Sequence, residues 1–249
     1  AQNVLGVEST DFVKAFTFII QFGAILSVVC LYWKKFFHLN EVPQGVTGAK
    51  AFLIKYDFYW KLLVAFLPAA VFGLLFSDAI DAMLERVEVV AITLVLGGIF
   101  MLFCDKIFGK GTKEKMTERN ALMVGLYQCI SMIPGVSRSM ATIVGGMSQG
   151  LTRKAAAEFS FFLAVPTMLA ATAYKLLKLI MDPVQRAVLV DNMTTLIVGN
   201  VVAFIVALLA IKFFIEFVSK YGFKAFGWYR IIVGGAIIVM MLCGVSLEI

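Results

Sequence analysis

Two hydroxyls and a guanidinium, on Ser137, Arg138 and Ser139, follow directly on Pro134-Gly135-Val136 inside a stretch otherwise made almost wholly of apolar residues. An arginine near the centre of a bilayer is disfavoured by roughly 2.5–3.5 kcal/mol on insertion scales, so it faces a protein-lined cavity and meets an anion there. Proline removes a backbone donor and glycine admits positive φ, so the Pro134-Gly135 pair stops the helix before it. A second short helix starting near Met140 would bring its free N–H groups beside both hydroxyls and the guanidinium fork. That combination holds a phosphate or a carboxylate, and the expected ligand is an anion.

The elements that must position this cluster are membrane helices. Of 249 residues, 61% are hydrophobic and 15% charged, against about 25% charged in soluble domains, and the mean hydropathy is +0.93. The expected fold class is all-α, a polytopic membrane protein. Six stretches are long enough to cross a hydrocarbon layer of roughly 30 Å, at about 12–33, 58–76, 87–108, 156–180, 192–217 and 228–247. Between the third and fourth lies an element at 120–150, read as two half-length helices, Ala121–Ile133 and Met140–Gly150, that form a re-entrant hairpin. Non-helical backbone at membrane depth persists only where protein or a wet cavity surrounds it, so the interruption itself predicts a cavity. A single kinked span is the alternative.

Phe16 to Ala24 aligns weakly with Phe159 to Thr167, and each copy opens a run of three spans. An odd repeat inverts topology, and inverted repeats place sites near the midplane, built by broken helices whose N-termini face an anionic group. The reading is one membrane domain over 1–249, with repeat 1 at about 1–108 and repeat 2 at about 120–249. Repeat 1 has no counterpart of the 120–150 element, so an upstream hairpin is expected to be missing. The chain also opens on Ala1 rather than a methionine.

The net charge of +6 does not point to nucleic acid, because the basic residues lie in short loops and follow the positive-inside pattern. Lys34, Lys35, Lys50 and Lys55, and the run from Lys106 to Arg119, place their loops in the cytoplasm. Asp78, Asp81, Glu85 and Glu88 place 77–88 outside, as does the count for Ile249. Cys30, Cys104, Cys129 and Cys243 lack the spacing of a zinc site or a disulfide framework. His38 reads as a solvated interfacial residue, and Trp33, Trp60 and Trp228 as an aromatic belt. Gln21 and Gln128 suit interhelical hydrogen bonds, Pro68 and Pro166 suit kinks, and Glu158 suits an interfacial salt bridge with Arg153 or Lys154.

Pro134-Gly135-Val136-Ser137-Arg138-Ser139-Met140-Ala141-Thr142 resembles the Pro-Gly-x-Ser-Arg-Ser-x-x-Thr signature of the bacterial undecaprenyl-diphosphate phosphatases, the bacitracin-resistance family. Ile20 to Leu26, Leu67-Pro68-Ala69, Gly145-Gly146 and Ala157 to Pro166 extend the resemblance over essentially the whole chain. It implies an enzyme of the bacterial plasma membrane that removes the terminal phosphate of the C55 isoprenoid diphosphate. The product is the lipid carrier of peptidoglycan synthesis, and Mg²⁺ or Ca²⁺ assists. It also implies that Gly135, Ser137, Arg138, Ser139 and Thr142 bind the diphosphate lipid, with Arg138 and Ser137 catalytic.

The family's N-terminal motif, Glu-Gly-x-Thr-Glu-x-x-Pro-Val-Ser-Ser-Thr-Gly-His, supplies metal-binding acids and a proposed serine or histidine nucleophile. It does not occur in this chain, so its acidic metal ligands are expected upstream of Ala1 and the chain as given is expected to be catalytically crippled. Met140 stands where many relatives have glycine. The expected partners are the polyprenyl diphosphate and the bilayer, with a homodimer as a compatible assembly. The rival reading is a transporter or lipid flippase for an anionic or polyprenyl-phosphate substrate, since inverted repeats with broken helices also build alternating-access carriers.

Overall fold

The computed structural model describes residues 10–84 and 86–243. In order along the chain they form α1 (Asp11–Ile19), α2 (Gln21–Leu31), α3 (Trp33–Phe37), α4 (Gly48–Lys55), α5 (Asp57–Leu75), α6 (Ser77–Leu84) and α7 (Val87–Phe108). There follow α8 (Glu118–Ile130), α9 (Arg138–Ser148), α10 (Arg153–Met181), α11 (Pro183–Asp191), α12 (Met193–Tyr221) and α13 (Lys224–Leu242). Glu85, the end of the sixth expected span after 243, and Ile249 lie outside the described residues, as does the start of the chain through residue 9.

Five of these helices, α5, α7, α10, α12 and α13, are long and apolar enough to cross a membrane, and they match five of the six expected spans. Large apolar side chains cover their outer faces, with Leu74 81% exposed and Leu209 67% exposed. Water would not tolerate such surfaces in contiguous rows, whereas lipid does. The chain is an all-α polytopic membrane protein. Pro68 and Pro166 lie inside α5 and α10, which continue through them. The expected outer turn at 77–88 is largely helical, as α6.

The first expected span differs. Instead of one helix over 12–33, the chain forms α1, α2 and α3, with α1 and α2 meeting at Ile20. The cause is a polar side chain from far along the sequence: Gly23 N–H donates to Asn200 Oδ1 at 2.9 Å and to Ile20 O at 3.1 Å.

The described residues form two compact units. One holds the chain up to Leu39 with Ala164–Phe213. In it Ala15, Leu189 and Leu196 make a small core under Phe12, Phe16 and Ile19, and the Thr172 hydroxyl lies 3.5 Å from Gln21 Oε1. Gln21 thus makes the interhelical contact expected of it.

The other unit holds Asn40–Leu163 with the chain from Phe214 onward. Here α7 and α13 run against each other at backbone distance. A Cβ on Gly98 would lie 2.8 Å from the Gly227 carbonyl oxygen, and one on Gly227 would lie 2.8 Å from that of Gly98. In lipid, association depends on van der Waals contact rather than on expelling water, so small residues set how closely such helices approach. Asp105, near the end of α7, ties down two further elements. Its carboxylate accepts from Arg153 Nε at 2.8 Å and from Phe223 N–H at 2.7 Å. Arg153 is therefore engaged by Asp105, not held for Glu158.

Gly98→Val should push α7 and α13 apart. The expected loss is about 1–3 kcal/mol of stability, read as a lower thermal midpoint of the detergent-solubilised protein.

Candidate active site

Lys113 N–H donates to Gly150 O at 3.0 Å and Thr152 N–H donates to Lys113 O at 2.9 Å. The chain therefore returns to the place it left, and the segment between is a hairpin of α8 and α9, which pack on each other. The 13 residues of α8 and 11 of α9 are each too short to cross about 30 Å at about 1.5 Å per residue. This is the hairpin expected from the sequence rather than a kinked span, with both helices starting two or three residues earlier than expected. Every residue of α9 from Met140 to Met147 is buried, as befits an interior helix.

Between the two helices the backbone tightens into successive three-residue turns. The N–H groups of Ser131, Met132, Ile133 and Val136 bond to the carbonyls of Gln128, Cys129, Ile130 and Ile133. Gly135 carries φ +84°, a left-handed conformation glycine adopts freely, and a Cβ there would collide with the Thr93 hydroxyl. Two carbonyls face away from the turn and are met by other helices. Pro134 O accepts from the Thr93 hydroxyl of α7 at 2.5 Å, and Gly135 O accepts from Arg230 Nη2 of α13.

On its other side the turn opens α9. Ser137 is the N-cap, its Oγ accepting from Met140 N–H at 3.3 Å. Arg138 and Ser139 occupy the first turn, where N–H groups lack acceptors within the helix and the helix dipole is positive. Arg138 Nε donates to Gln128 Oε1 of α8 at 3.3 Å. Gln128 is 3% exposed, so this bond fixes the plane of the guanidinium from beneath. Gly135, Ser137, Arg138 and Ser139 are only half-buried. The arrangement presents a cation, hydroxyls and N–H donors at one helix N-terminus, which is a phosphate-binding geometry.

Thr142 is placed differently from its neighbours. It is 1% exposed, and its hydroxyl lies 2.6 Å from Ser160 Oγ of α10 and donates back to Arg138 O at 2.9 Å. It supports the first turn of α9 from behind. Met140, 7% exposed, packs into the unit. No three His, Cys, Asp or Glu side chains gather into a metal-binding group among the described residues.

A family model described as bacitracin resistance protein BacA matches residues 1–236. The chain belongs to that family. The undecaprenyl-diphosphatase of Porphyromonas gingivalis strain W83 is 57% identical over 252 residues, covering 100% of this chain and 90% of that protein. The undecaprenyl-diphosphatase of Bdellovibrio bacteriovorus is 45% identical, with 100% and 88% covered. That of Aquifex aeolicus is 40% identical, with 93% and 84% covered.

Sequence reasoning missed Thr93 and Arg230. The signal for Arg230 was available, since it is a lone charge inside the sixth expected span and a charge there marks function or a buried partner. Thr93 gave none, because hydroxyls commonly bond back to their own helix.

Thr142→Val should leave Ser160 Oγ without its buried partner. A stability loss of about 1–3 kcal/mol is expected, seen as a lower thermal midpoint, with Ser160→Ala in the same background recovering part of it.

Proposed function

We propose that this chain carries the hydrolase activity of its family, removing the terminal phosphate of undecaprenyl diphosphate to give undecaprenyl phosphate, the lipid carrier of cell-wall synthesis. The observation that carries this reading is the N-terminus of α9, where Ser137, Arg138 and Ser139 converge on a single open turn, in a chain whose relatives are undecaprenyl-diphosphatases. The rival reading as a carrier is not supported, since those relatives are named for hydrolysis.

Hydrolysis breaks the bond from the terminal phosphorus to the bridging oxygen, water supplying the new P–O bond, and charge builds on that leaving oxygen and is spread over the oxygens of the transferred phosphoryl group. Donors already fixed in place stabilise that charge without reorganising. Arg138, its Nε held by Gln128, offers its planar fork to phosphate oxygens. Lysine, a point charge, does not reproduce that geometry. Ser137 keeps its proton for a phosphate oxygen while its lone pair caps α9. Gly135 and Ser139 complete the diphosphate contact, and Thr142 contributes by holding the Arg138 carbonyl.

Mg²⁺ or Ca²⁺, which the family resemblance implies, would when bound neutralise charge on the phosphate oxygens. The plasma membrane of a bacterium is the proposed compartment, with the lipid tail lying among apolar helix faces.

Arg138→Ala should lower phosphate release from undecaprenyl diphosphate by about 100- to 1,000-fold, with helicity by circular dichroism unchanged. Arg138→Lys should recover only a small part. Release at the parental rate from Arg138→Ala removes the assignment.

A further inference from the structure

Arg230 is a buried cation whose partner is a backbone carbonyl. It is 9% exposed, its Nη2 donates to Gly135 O, and its Nε has no hydrogen-bond partner among the described residues. A guanidinium desolvated in an apolar bundle with one donor left unpaired is expensive. Nothing in simple packing of α7 on α13 calls for it.

Its surroundings are shaped to receive it. Gly97 of α7 faces the guanidinium, and a Cβ there would sit 3.1 Å from Nη2 and 3.6 Å from Nε. One helical turn earlier on the same face, Thr93 holds the neighbouring carbonyl, that of Pro134. Consecutive carbonyls of the turn are thus gripped by consecutive positions around one recess, which turns the acceptors away from the anion and leaves the donors of 137–139 toward it.

We propose that Arg230 is a positioning residue for the diphosphate turn, acting through Gly135 O to hold the N-terminus of α9 in register for catalysis. This rests on the assignment of that turn as the diphosphate site. Arg230 does not touch the substrate. It fixes a peptide whose neighbours do, and a small displacement of such donors is enough to lower turnover about 100-fold.

The test is kcat and KM for undecaprenyl diphosphate in Arg230→Met, Arg230→Lys and Gly97→Ala, with Arg138→Ala alongside and the thermal midpoint of each. Arg230→Met should lose about 100-fold in kcat with KM within about threefold. Arg230→Lys, which keeps a donor of similar reach, should recover to within about tenfold of the parent, and Gly97→Ala, which crowds an unaltered arginine, should lose about tenfold.

Parental kcat in Arg230→Met overturns the proposal. So does a KM that rises as kcat/KM falls, which would make Arg230 a direct ligand of the diphosphate. If Arg230→Met does not fold, Gly97→Ala decides, since an unchanged kcat there overturns the proposal and a lowered one at constant KM supports it. Activity in Arg138→Ala would instead defeat the site reading itself, whereas an inert Arg138→Ala beside parental Arg230 variants defeats the positioning role alone.

Discussion

A backbone that leaves the helix among apolar spans must have its carbonyls and N–H groups met by something other than water, and the site depends on how the Pro134–Ser137 turn satisfies that demand. Two of its acceptors, the carbonyls of Pro134 and Gly135, go to Thr93 and Arg230. The tightening turn takes the N–H groups of 131–133 and 136. What is left over is the first turn of α9, whose donors have no acceptor in the helix. That turn sets N–H donors beside the Arg138 cation, which is the setting of the proposed anion site.

One helix serves two ends of this arrangement. The glycine of α7 at 98 lets α13 approach to backbone contact, and its neighbours Thr93 and Gly97 meet the turn and the arginine that holds it. Close approach is what brings Arg230 within reach of Gly135, so packing and polar satisfaction are coupled here rather than separate. Behind the site, Gln128 and Thr142 hold the two sides of Arg138, its guanidinium and its carbonyl. The residues proposed to face the substrate are few, and the side chains that hold their turn come from α7, α8, α10 and α13.

The sequence was legible where the signal is local. Pro134-Gly135 stops a helix by its own chemistry and the half-lengths on either side favour a hairpin over a kinked span, so α8, α9 and five spans follow from reading along the chain. What escaped depends on partners far away. Asn200 lies 177 residues from the Gly23 amide that it diverts, so the division of the first span at Ile20 had no local signature. Arg230 is 95 residues from Gly135 and Thr93 is 41 residues from Pro134. Arg153 bonds to Asp105, 48 residues earlier, rather than to the glutamate one turn ahead of it. Thr142 was legible as part of a motif but not in its orientation, since position in a signature does not tell which face of a buried helix meets Ser160.

The most direct test is a structure of the protein with a polyprenyl diphosphonate whose bridging oxygen is replaced by methylene, which hydrolysis cannot cleave. The diphosphonate should lie against the first turn of α9, with the Arg138 fork on its oxygens, the Ser137 and Ser139 hydroxyls donating, and Arg230 still on Gly135 O. A diphosphonate bound away from that turn, or one bound there with Arg138 turned from it, would contradict it.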